Sequence, residues 1–140
     1  MHAYGCICNC FSWGCIFSKP KASDNLLDAL LQMKADVNAQ DHRGVGALHS
    51  LALSGNMRLM KWLMTHSADL DLQTEHGTTA LMLASKRGSE EGVAMLLAAR
   101  ANPNLSNKAG STALVQAFAS NMNVTGCVHS IFVMFNLFFG

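Results

Sequence analysis

Four cysteines, Cys6, Cys8, Cys10 and Cys15, crowd near the N-terminus, and six histidines are scattered along the chain. Thiolates select soft metals such as zinc or copper(I), and cysteines beside basic residues such as Lys19 and Lys21 are candidates for S-acylation. Structural zinc sites space their cysteines as Cys-x2-4-Cys, whereas Cys-x-Cys-x-Cys does not readily aim three sulfurs at one tetrahedral ion. The expectation is a Cys-rich, unstructured leader over 1–23 that holds no metal, with its four cysteines kept as modification candidates. His2, His42, His49, His66, His76 and His129 include no pair three to five residues apart, the spacing a metal pair on one helix face requires. A phosphate-cradling Gly-x-x-x-x-Gly-Lys loop, a Gly-x-Ser-x-Gly elbow and a His-Glu-x-x-His pair are all absent. No catalytic residue, metal or cofactor is assigned, and the chemistry expected is recognition.

Charge narrows the partner. Ten Lys and Arg against nine Asp and Glu leave a formal +1, which offers no electrostatic footprint for a phosphate backbone, so nucleic acid is not expected. Histidine aside, no charged side chain occurs from Met1 to Ser18 or from Ala109 to Gly140, so both ends differ from the middle. Five cysteines, an odd number, with none between Lys19 and Gly126, do not read as a disulfide framework. A reducing compartment follows, the cytoplasm first and the nucleus as the alternative. The N-terminus lacks a basic start, and Asn9 and Ser12 interrupt its apolar stretch, so no secretory signal is read.

The elements behind these residues emerge when the chain is compared with itself. An offset of 33 carries Gly44 to Gly77 to Gly110, Ala47 to Ala80 to Ala113 and Leu48 to Leu81 to Leu114. The same offset relates Gly55 to Gly88, Leu63 to Leu96 and Ala68 to Ala101, and Leu30, Ala35, Asp36 and Gln40 to Leu63, Ala68, Asp69 and Gln73. Each unit reads as helix, tight turn, helix and extended loop. Thr79 caps a predicted helix over Ala80 to Arg87, which Gly88 ends; Ser89 caps the next, whose Glu90 and Glu91 suit the positive end of its dipole and which Pro103 helps to stop. Helices this short are marginal alone and must stack.

A period of 33 built from a turn and two helices resembles the ankyrin repeat. The resemblance rests on Gly-Val-Gly-Ala-Leu-His at 44–49, Gly-Thr-Thr-Ala-Leu-Met at 77–82 and Gly-Ser-Thr-Ala-Leu-Val at 110–115. It rests also on Lys-Ala-Asp-Val-Asn at 34–38, Ser-Ala-Asp-Leu-Asp at 67–71 and Arg-Ala-Asn-Pro-Asn at 100–104. It implies an all-α solenoid of stacked helix-turn-helix pairs with hairpin-like loops over 24–123, divided into 24–40 (partial), 41–73, 74–106 and 107–123 (partial). Ala replaces the family's Pro at all three helix starts, only His49 keeps its His, and Lys34, Ser67 and Arg100 stand where Gly usually ends the second helix. His49 is read as a structural residue, and the array as less stable than an idealised one.

By the same resemblance the loop tips and first helices face a partner protein. The family's variable contact positions fall on His42, Arg43, Val45, Leu53, Ser54, Glu75, His76, Thr78, Lys86, Arg87, Lys108 and Ser111, whose mostly basic charge suits a mildly acidic partner. A protein-binding adaptor or scaffold is the reading. In eukaryotic ankyrin proteins an asparagine in a Leu-x5-Asp-aliphatic-Asn context is hydroxylated by a cytosolic dioxygenase; Leu30 through Asp36-Val37-Asn38 resembles that context, which makes Asn38 a modification candidate. The apolar tail 124–140 is shorter than the roughly 20 residues that span a bilayer and contains His129, Ser130 and Asn136. A divergent terminus is the first reading, a membrane-tethered adaptor held by leader or tail the second. Neither end resembles a polar capping repeat, so a shortened form of a longer array is expected, and removal of the aromatic tail is expected to improve solubility.

Overall fold

The computed structural model describes 36–120 continuously, together with Gln32 and, in the tail, 128–129, 131–133 and 136–137. Among the described residues five helices are bounded, α1 Ala47–Ser54, α2 Met57–Thr65, α3 Ala80–Arg87, α4 Glu90–Ala98 and α5 Ala113–Ala119, and Gln32, 128–129, 131–133 and 136–137 are helical as well. Among the described residues the β-type pairing is one isolated bridge between Gln40 and Gly46, so the chain is helical as expected.

Local chemistry sets the helix ends. The Met82 N–H donates to Thr79 Oγ1 at the start of α3, and the Gly92 N–H donates to Ser89 Oγ at the start of α4. Asn56 Oδ1 does the same for α2 by accepting from the Leu59 N–H. Gly46 has no side chain with which to cap α1; instead its own N–H donates to His49 Nδ1. At α5, Thr112 makes no side-chain cap bond. Gly55 and Gly88 close α1 and α3 in the left-handed region at φ +75°. Ser67 and Arg100 adopt the same region beyond α2 and α4 at φ +62° and +71° without glycine's freedom, which costs about 1 kcal/mol each. Arg100 therefore turns the chain before Pro103 is reached; that proline stands five residues past Ala98 and is buried in the following loop.

The helices stack in register. α3 lies between α1 and α5, α2 backs α1, α4 backs α3, and α2 touches α4. Alanines at 47, 80 and 113 and at 84 and 117 are buried, letting the first helices approach closely, while Leu51, Met60, Leu63, Leu81, Met82, Val93 and Leu96 fill the space between layers. Ile131 of the tail joins this core at 4% exposure, with Val128 packed against it. That burial argues against the expectation that removing the tail is beneficial, because it would uncover apolar surface. Among the described residues no helix is long and apolar enough to cross a membrane.

Candidate protein-binding surface

Three hairpin turns project from the helix layers, and each is closed twice. Asp41, Thr74 and Asn107 donate their N–H groups at 3.0 Å to the carbonyls of Val45, Thr78 and Ser111. Their side chains brace the same turns from within. Asp41 Oδ1 accepts from the Arg43 and Val45 N–H groups at 2.9 and 2.8 Å. Asn107 Oδ1 accepts from Ala109 and Ser111, and Thr74 Oγ1 accepts from the Thr78 N–H at 3.2 Å.

Neighbouring turns are zipped to each other. The Glu75 N–H donates to the Arg43 carbonyl at 2.8 Å and the Lys108 N–H to the His76 carbonyl at 2.9 Å. Gln40 Nε2 donates to the carbonyls of Gly44 and Gln73, and Gln73 Nε2 repeats this toward Gly77 and Ser106. At the loop bases Asn38 Oδ1 accepts from the Asp69 N–H at 2.7 Å, and Asp71 Oδ1 from the Asn102 N–H at 2.8 Å.

His49 ties α1 to the next turn. Because the Gly46 N–H donates to Nδ1, the ring proton sits on Nε2, which donates to the carbonyls of Leu72 and Thr78 at 2.9 and 3.0 Å. Burial lowers its pKa from the ordinary 6.5, against the Thr78 and Leu72 carbonyls and the Asp41 charge, which favour the proton. Burial raises the Asp41 carboxyl, but the Val45 and Arg43 N–H groups, and the charges of Arg43 and His42, outweigh it and hold it below the ordinary 3.8.

Residues 18–107 match the family profile described as Ankyrin repeats (3 copies). The chain belongs to the ankyrin-repeat family. No curated protein sequence matches it. Ankyrin repeats are in general protein–protein interaction modules and typically not enzymes. Here the ankyrin turns carry His42, Arg43, Glu75, His76 and Lys108, all exposed, with Val45, Thr78 and Ser111 half-buried beneath them. Leu53 and Ser54 are exposed at the end of α1, and Lys86 and Arg87 at the end of α3.

Two of the four cations are engaged. Arg43 pairs with Asp41 at 3.7 Å, and the Arg87 guanidinium donates to the Leu53 carbonyl while lying over Gly55. Asn38 holds the following loop through the Asp69 bond. Cys6, Cys8, Cys10 and Cys15 lie outside the described residues. The sequence pattern alone did not single out the glutamine ladder, although the coincidence of Gln40 with Gln73 at the repeat offset was its visible signal. Nor did it show the reach of Arg87, for which no local pattern exists.

Proposed function

We propose that this ankyrin array is an adaptor that holds a mildly acidic partner protein on its hairpin tips and on the ends of α1 and α3. The observation that carries this reading is the backbone zipper between turns, Glu75 to Arg43 and Lys108 to His76. It holds the exposed side chains in a row without a folding cost at the moment of binding, which is the preorganisation tight recognition needs. Lys86 and Lys108 supply exposed positive charge along that row, and no catalytic role is proposed for any residue. The cytoplasm is the compartment proposed. Quantitative affinity capture with the full chain tests the reading: changing Lys86 and Lys108 to Glu together should remove the partner and leave the fold intact. Partners captured equally by both proteins would refute it.

Tethering to a membrane is a second reading, supported by Phe132 and Leu137, which are exposed in the tail at 63% and 70%. Fractionation that leaves the chain wholly in the soluble pool would dismiss it. Asn38 is the residue proposed for hydroxylation, and mass spectrometry after exposure to an active asparaginyl dioxygenase checks it.

A further inference from the structure

Hydroxyl groups recur toward the ends of the helices, and most are tied down. Ser54, Thr65, Ser85 and Ser120 each donate to a backbone carbonyl one turn back. Ser89 differs. Its Oγ accepts from the Gly92 N–H at 3.3 Å but donates to no group among the described residues, and from a half-buried position its proton is left to solvent. Its backbone is extended, φ −81° and ψ 91°, directly after the left-handed Gly88. Three and two residues before it stand Lys86 and Arg87, both exposed. No other serine or threonine of the chain follows cations at both of those positions.

We propose that Ser89 is a phosphoacceptor for a protein kinase with an acidic substrate cleft, which would read the ammonium and guanidinium groups that precede it. In the transfer, Ser89 Oγ bonds to the γ-phosphorus of ATP as the bond from that phosphorus to the β,γ-bridging oxygen breaks. The hydroxyl proton passes to the kinase's catalytic carboxylate, and ADP leaves. Entry into an extended cleft opens the end of α3: the Gly88 and Ser89 N–H groups leave the Ser85 and Ala84 carbonyls, and Arg87 leaves the Leu53 carbonyl. Such opening at a helix end is local and does not require the array to unfold.

The product alters the binding row. A phosphoserine carries about −1.5 to −2 charge at pH 7. Toward α4 there is no room for it, since a Cβ on Gly92 would already stand 2.9 Å from Ser89 Oγ and 3.2 Å from Met57 Cε, and Glu90 and Glu91 repel it from the first turn. It turns instead toward the end of α3, where the Lys86 ammonium has no ion-pair partner among the described residues. Lys86 is one of the two exposed cations assigned above to an acidic partner, so phosphorylation, resting on that adaptor reading, releases the partner.

Treating the folded full chain with the catalytic subunit of cyclic-AMP-dependent protein kinase and magnesium ATP tests the site. One added phosphoryl group is expected, mapped to Ser89 by mass spectrometry, with none on Ser89→Asn, which keeps a capping oxygen, and with transfer to Lys86→Ala slower by at least about tenfold. An unmodified chain, phosphate only on other residues, transfer only after unfolding in urea, or an equal rate for Lys86→Ala would overturn it. Affinity capture then compares the phosphorylated chain with the variant carrying both Lys86→Glu and Lys108→Glu, and loss of the same proteins is expected. Retention by the phosphorylated chain of proteins that the double variant loses would overturn the release. Equal capture by wild type and the double variant would instead refute the adaptor reading and the release together, while the mass spectrum decides the site independently.

Discussion

Replacing Gly44 and Gly110 with alanine, one at a time, separates the strain of a turn from the packing of one unit on the next. The two glycines occupy equivalent positions and share one backbone conformation, φ +74° and +76°. Either substitution forces an alanine into the left-handed region, at about 1 to 2 kcal/mol. What differs is the neighbour. A Cβ at Gly44 would stand 2.8 Å from the Glu75 nitrogen and 3.0 Å from the Thr74 carbonyl carbon and Cα, whereas at Gly110 nothing lies within 4 Å. Those are backbone atoms, so the following turn must move, and the hydrogen bond from the Glu75 N–H to the Arg43 carbonyl is the first to break. Overpacking costs roughly 1 to 3 kcal/mol, and the broken bond falls within that range. Gly44→Ala should therefore destabilise by about 2 to 5 kcal/mol and Gly110→Ala by about 1 to 2 kcal/mol. Urea unfolding followed at 222 nm, with midpoints compared at equal m-value, measures both. Equal losses in the two variants would refute the reasoning, because the turns would then be held independently.

Three further outcomes are expected. Leu63→Ala, at a fully buried site between layers, should cost about 2 to 5 kcal/mol in the same urea assay. Ile131→Ala should also destabilise, by about 2 kcal/mol, which an unchanged midpoint would contradict. For His49 the unfolded state takes up a proton as pH falls through 6.5 while the folded state, with its lowered pKa, resists it. Its contribution is thus complete above 6.5 and declines as pH falls toward the folded value; the difference in urea midpoint between wild type and His49→Gln should shrink over that window.

Where the determinants are local, the sequence was readable. Thr79 with Gly88, and Ser89 with its two glutamates, delimit α3 and α4 because capping and left-handed closure act within a few residues. The left-handed residues Ser67 and Arg100 were visible as departures from a repeated pattern. Contacts that cross a whole unit were not. The Arg87 bond to the Leu53 carbonyl joins residues 34 apart, so two of the cations read as partner contacts are partly committed within the fold. The tail followed no repeat, and only packing could single out Ile131 from the apolar residues around it.

The straps that join one unit to the next are unevenly distributed. Between the units beginning at Asp41 and Thr74 there are the Gln73 amide, which reaches the Ser106 carbonyl, the His49 ring and the Arg87 guanidinium. At the next joint Ser106 stands in place of Gln73 and Met82 in place of His49, and Ser120, in place of Arg87, donates within its own helix to the Ala117 carbonyl. Treated as a spring, the array is stiff at its first joint and compliant at its second. A load along its axis, or a thermal fluctuation of the same kind, opens the joint before α5 first, and amide protons of α5 should exchange faster than those of α3.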